Sequence, residues 1–197
     1  LIQGQALHAA AIMHDKDSLV NPRYGYGLED LLKECEELIF QASTYGFDAA
    51  DSCLHDLGLL GSAAMTMGNT YVRDLTAATY LDHPEETAAI MLATSQSFSG
   101  VIRNNALCMY AAAQIKRGMP MYAGMALGAS QSADHNHSLT SLMLQCYLNG
   151  LATNCVDNIN QGSANARSHY YRKLAQRTSD SAKSEDEAGT DNFDDAA

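Results

Sequence analysis

Apolar residues recur at steps of three and four through Leu28, Leu31, Leu32, Cys35, Leu38, Ile39 and Ala42, while the opposite positions hold Glu29, Asp30, Lys33, Glu34, Glu36 and Glu37. A stripe of that period is the buried face of an amphipathic α-helix, wet on its other side. Gly46 follows where a C-terminal cap belongs. No stretch of the chain shows a sustained period of two, the mark of a half-buried strand. Ala, Leu and Met are plentiful, Pro is rare and Trp is absent. The pattern therefore predicts an all-α protein.

Start and stop signals divide the rest of the chain. A short helix is expected from Ile2 to His14, followed by a loop holding Asn21, Pro22, Gly25 and Gly27. A third helix is expected to start near Asp48, its extent blurred by Gly58, Gly61 and Gly68. Asn69 or Thr70 can open another, running to about Asp82. Asp82 or His83 then caps a helix with Pro84 in its first turn and Glu85 and Glu86 facing the helix dipole. Further helices are predicted over Val101 to Lys116, Pro120 to Ala129, Ser138 to about Val156, and Ala164 to Arg177. Stripes this short do not describe a simple four-helix bundle. The expected fold is an irregular multi-helix array of about eight or nine helices with a disordered acidic C-terminal tail.

The tail begins where composition changes. From Thr178 onward Ser, Asp, Glu, Gly, Thr and Ala dominate, and Phe193 is the only large apolar residue. Such a segment buries too little to offset its ordering entropy. The expected division is a helical domain over 1–177 and a disordered tail over 178–197. Charge is uneven along the same axis. Residues 1–86 carry 14 acids and 4 bases, residues 87–177 carry two acids and seven bases, and the tail carries seven acids and one base, which together give the net charge of −11.

Other features limit the class. The five cysteines, Cys35, Cys53, Cys108, Cys146 and Cys155, are odd in number, widely spaced and set among apolar neighbours. That is the usage of reduced core thiols in a reducing, intracellular compartment, or inside an assembled particle. No run of apolar residues reaches the ~18 that a membrane helix needs, and no basic segment followed by an apolar one marks a signal peptide. No membrane partner is expected. The chain does not begin with Met, as a processed chain or a piece of a longer one would not.

Two constellations remain. Asp134, His135 and His137 lie together, and two imidazoles one residue apart on a loop can share a metal with a neighbouring carboxylate. A small metal-binding helical enzyme centred on them is one alternative. Against it, no Glu-x-x-His pair, Gly-x-Ser-x-Gly elbow, P-loop or dinucleotide fingerprint occurs. The expectation is accordingly a chain without catalytic signature, metal or cofactor. The second constellation is the basic half: Arg103, Lys116, Arg117, Arg167, Arg172, Lys173 and Arg177, with Tyr170 and Tyr171 interleaved in the last helix. Guanidinium groups bind phosphates bidentately and tyrosines stack on unpaired bases. The expected function is therefore a non-enzymatic, self-assembling helical structural protein, a homo-oligomer of nucleocapsid or filamentous-coat type that contacts the backbone of single-stranded nucleic acid. The other alternative is a helical protein-interaction module without nucleic acid, whose acidic tail recruits a basic partner.

Overall fold

The computed structural model describes residues 27–188, with side chains through residue 180. Among the described residues it holds nine α-helices and no strand. They are α1 (Leu28–Thr44), α2 (Ala49–His55), α3 (Leu57–Met67), α4 (Thr70–Asp82), α5 (Pro84–Ser97), α6 (Gly100–Lys116), α7 (Pro120–Ala133), α8 (Ser138–Leu148) and α9 (Ala152–Ala188), with a 3-10 turn at Gly46–Asp48. The all-α array is as the sequence predicts. The helix expected over Ile2 to His14 lies outside the described residues.

Several boundaries follow from the expected chemistry. Gly46 adopts φ +63° just past α1, and Gly118 adopts φ +72° past α6, conformations that glycine reaches without steric cost. Asn69 caps α4, its Oδ1 accepting from Val72 N at 2.8 Å, and Pro84 occupies the first turn of α5.

Other boundaries differ. The segment after Asp48 divides at Asp56, whose carboxylate accepts from Leu59 N at 3.0 Å to open α3 and from the Tyr45 hydroxyl at 2.7 Å. The single helix expected from Ser138 to Val156 is two, because Gly150 at φ +74° ends α8. His137, not Ser138, is the N-cap of α8. The last helix does not begin at Ala164 but at Ala152, and Ser163 is buried within it, its Oγ accepting from Ala78 N of α4 at 3.2 Å. That helix continues to Ala188, so the backbone is helical over the first part of the acidic segment; residues 189–197 lie outside the description.

Helices α5, α6 and α7 are joined by loops of two or three residues and pack along their lengths, so each runs back against the one before it. Alanines line both contacts: Ala88, Ala89 and Ala93 of α5, Ala106, Ala111, Ala112 and Ala113 of α6, and Ala123 and Ala126 of α7 are all buried. α6 is enclosed on nearly every side, with Asn104, Asn105 and Gln114 buried alongside its apolar residues. The main core runs from α1 through α9 around this helix. A second cluster of Leu28, Leu31, Val72, Leu75 and Tyr170 joins the start of α1 to α4 and α9.

Candidate functional site

The basic half is not one surface. Arg167 lies against α4, its Nε donating to the Leu75 carbonyl at 2.7 Å and its Nη2 to Thr79 Oγ1 at 2.8 Å. Tyr170 is 4% exposed, and its hydroxyl accepts from Leu28 N at 3.1 Å. The half-buried guanidinium bonds a helix backbone and a threonine, and the Tyr170 ring fills the second core. Tyr171 packs edge-on against Tyr170 with ring centroids 5.4 Å apart, is 44% exposed, and donates its hydroxyl to Glu29. Arg172 is exposed on the same helix, with Lys173 and Arg177 half-buried. At the other end of the sequence half, Arg103, Tyr110 and Arg117 fall seven residues apart and share one half-exposed stripe of α6. Lys116 is exposed beside them, and Arg117 Nη1 donates to Gln114 Oε1 at 3.1 Å.

Tyr110, Gln114 and Arg117 also line an open groove of about 520 Å³, floored by Ala42, Ala49, Ala50, Ala88 and Ala89 and rimmed by Phe47, Glu85 and Glu86. A second groove of about 540 Å³ runs between α1 and α3 past Asp30, Glu34, Glu37 and Asp56. Neither contains a histidine or a cysteine.

The Asp134–His137 loop does something other than gather ligands. Asp134 Oδ1 accepts from Asn136 N at 2.9 Å, and His135 is exposed. His137 turns inward: its Nδ1 accepts from Thr140 N at 3.3 Å and lies 2.7 Å from Thr140 Oγ1, while its Nε2 lies 3.1 Å from Asn105 Oδ1. Among the described residues no three His, Cys, Asp or Glu side chains group as they would around a metal ion.

His137 instead belongs to a polar chain through the core. Asn105 Oδ1 also accepts from Arg73 Nη1 at 2.7 Å, and Asn105 Nδ2 donates to the Met67 carbonyl at 2.8 Å. Arg73 is 7% exposed and pairs through Nη2 with Asp74 at 2.7 Å. Thr140 Oγ1 lies 2.6 Å from Ser130 Oγ and 3.2 Å from Cys108 Sγ. One assignment of protons satisfies the whole chain: Ser130 and Cys108 donate to Thr140, Thr140 donates to His137 Nδ1, and His137 Nε2–H donates to Asn105. The imidazole is therefore neutral, and burial, then the Arg73 charge, hold its pKa below the ordinary histidine value against a smaller opposing pull from Asp134.

The neighbouring thiol is not a nucleophile. Burial raises the Cys108 pKa to about 11, and the same cause raises Cys53 to about 11 and Cys35 to about 12. Cys155 is likewise raised to about 12, burial first and Cys146 beside it second. All are protonated near neutrality and out of reach of solvent substrates. All five cysteines are free.

What α7 and α8 leave outside is unusual. Met119, Met121, Tyr122 and Met125 of α7 and its approach are exposed, as are Leu142 and Leu148 of α8 and Leu151 after it, with exposures from 40% to 74%. Met121 and Met125 are one turn apart on the same stripe. The two helices meet at Gly124, where a Cβ would come within 2.7 Å of the Tyr147 hydroxyl. This face had no part in the sequence expectation, because apolar residues on a predicted helix read as core until a tertiary structure fails to cover them. Among the described residues no helix is long and apolar enough to cross a membrane.

No curated protein and no solved structure matches the chain. Residues 28–153 match the model of a family described as a domain of unknown function, DUF4192. The match begins at the first residue of α1 and ends just inside α9, leaving Arg167, Arg172, Lys173 and Arg177 beyond it. Since it spans well over half of the 197 residues, the chain belongs to the DUF4192 family.

Proposed function

We propose that this chain is a non-enzymatic helical protein-interaction module, and that the outer face of α7 and α8 is its contact surface. The observation that carries the reading is the set of large apolar side chains there, led by Met121 and Met125 at 67% exposure each and Leu148 at 74%. Clustered apolar exposure of this kind marks surfaces that a partner covers, and methionines adapt to the partner's shape. The polar network of Arg73, Asn105 and His137 supports the same reading, since it holds α4, α6 and α8 in place and offers no group to a substrate. The test is to immobilise the chain, incubate it with extract of its source cells, and compare it with the Met121→Glu, Met125→Glu variant. A protein retained in stoichiometric amount by the first and lost from the second is expected, with helical content unchanged. Identical retention by both removes the surface from consideration.

A second reading has its own support. Arg103, Tyr110 and Arg117 share a stripe of α6, with Lys116 beside them, and a stripe of that make-up suits contact with nucleic-acid backbone and unpaired bases. Arg172, Lys173 and Arg177 lie apart from it on α9, where Arg167 and Tyr170 hydrogen-bond to α4 and to the start of α1. Anisotropy of a labelled single-stranded RNA tests this: affinity should fall steeply as salt rises, and Arg172→Ala with Lys173→Ala should flatten the slope by roughly one unit per lost contact. RNA ignored at low salt ends this reading.

A further inference from the structure

Cys35, Cys53 and Cys108 are buried, each on a different helix, with Tyr80, Asp56 and Thr140 beside them rather than another thiol. Cys146 and Cys155 depart from that pattern. Cys146, near the end of α8, is half-buried and the only one of the five cysteines that is not enclosed, while Cys155 lies buried in the first turn of α9. The turn between the helices ties the two backbones together. With Gly150 at φ +74°, Leu151 N donates to the Cys146 carbonyl at 2.8 Å, and Cys155 N donates to the Leu151 carbonyl at 3.0 Å. The first bond closes a helix that ends in a left-handed glycine, and the second opens the next helix. The two cysteines are thus joined through one residue, α8 packs on α9, and the two thiols share a hydrogen bond. We infer that Cys146 and Cys155 form a redox site, in which a small hydroperoxide converts the pair to an intramolecular disulfide.

A disulfide forms without backbone movement only where two cysteines already lie side by side. Exposure divides the roles. The thiolate is the nucleophile, and Cys146 is the thiol that a peroxide in solvent can reach. Its sulfur attacks a peroxide oxygen: the S–O bond forms, the O–O bond breaks, and the departing hydroxide leaves as water with the proton of the thiol. Cys146 is then a sulfenic acid, a species that condenses with a neighbouring thiol. The Cys155 sulfur attacks Cys146 Sγ, the S–S bond forms, the S–O bond breaks, and the oxygen leaves as water with the Cys155 proton. The two thiols have given up two electrons and two protons, and hydrogen peroxide has become two waters. Burial, with Cys146 alongside, raises the Cys155 pKa to about 12, which suits the partner that keeps its proton until a sulfenic acid forms beside it.

Trypsin cuts after Arg117 and Arg167 and nowhere between them, so residues 118–167 form one peptide that holds both cysteines and no other. The test treats the folded full chain with hydrogen peroxide, unfolds it, alkylates the free thiols and weighs this peptide. Without peroxide it should take up two alkyl groups. With peroxide it should take up none and weigh two hydrogens less than the unalkylated form. Dithiothreitol should restore both groups, and the peptides of Cys35, Cys53 and Cys108 should keep theirs throughout. The oxidised chain should retain its helical spectrum and melt at a higher temperature, since a native cross-link constrains the unfolded chain. Cys155→Ser should stop at the Cys146 sulfenic acid, which dimedone traps, and Cys146→Ser should leave Cys155 untouched by peroxide. The inference is overturned by a peptide that keeps both alkyl groups or gains oxygen in place of the bond. A bond from Cys146 to Cys108 or to another chain overturns it too, as does equal oxidation of the three core cysteines or a loss of helical content when the bond forms. Should a serine variant fail to fold, the mass of the wild-type peptide decides alone.

Discussion

At the scale of single residues, the centre of this protein is Asn105. It is completely buried and ties three separate groups, the Arg73 guanidinium, the His137 imidazole and the Met67 carbonyl, through one side-chain amide. Replacing Asn105 with Leu leaves a buried charge and a buried carbonyl short of partners, at a cost of about 2–4 kcal/mol in stability, measurable by urea denaturation. His137 adds a dependence on pH. Its folded form is neutral and its pKa is lowered, so below about pH 6.5 the unfolded chain binds a proton that the folded one resists. Stability is fully present above that pH and declines as pH falls toward the lowered folded value. The ring meets Asn105 and Cys108 from α6 and Thr140 of its own turn, with the charges of Arg73 from α4 and Asp134 acting on it. His137→Asn keeps a side-chain oxygen for the Thr140 N–H and cannot titrate. Melting temperatures at pH 5 and pH 7.5 should therefore differ less for the variant than for wild type, and an equal difference would show that other groups carry the acid sensitivity.

At the scale of elements, the close approach of α7 to α8 depends on a missing side chain. A Cβ at Gly124 meets Tyr147 at 2.7 to 3.1 Å, tighter than packed atoms tolerate. Gly124→Val should force the two helices apart and cost about 1–3 kcal/mol, and Tyr147→Ala in the same chain should return part of the loss, a coupling that a double-mutant cycle reads directly. The helices also differ in how openly their sequences declare them. α1 announces itself because one face is buried and the other holds acids. α6 has no such contrast, since tertiary neighbours enclose all but one narrow stripe of it and bury amides among its alanines. The end of α8 and the start of α9 differ from the sequence pattern for a related reason. Asn149-Gly150 is a stop signal set between Leu148 and Leu151, so the apolar pattern runs across it while the backbone turns at Gly150. Ser163, a residue type suited to a helix start, lies inside α9 because its hydroxyl bonds the α4 backbone at Ala78 and Leu75.

At the scale of the whole molecule, the acidic segment after Arg177 is expected to be dispensable for folding. Its composition supports no core, and a chain ending at Arg177 should keep its helical spectrum and melt within a few degrees of the full chain. A sharp fall would show the segment to be docked. The sequence by itself determined the class of fold, because a period of 3.6 and local capping groups act within a few residues of one another and are written in order along the chain. It indicated too that the cysteines serve as core thiols, and four of the five are buried, although Cys146 and Cys155 lie side by side. What only the tertiary structure decided is which side chains remain available. Arg167 and Tyr170 read as ligand groups in the sequence, and the structure gives their hydrogen bonds to α4 and the start of α1; His137 bonds to Asn105 and Thr140; and among the described residues Met121 and Met125 stay exposed. Availability depends on contacts between residues up to 142 positions apart, and hydrophobic burial is non-directional, so no local pattern specifies which apolar stripe is left for a partner.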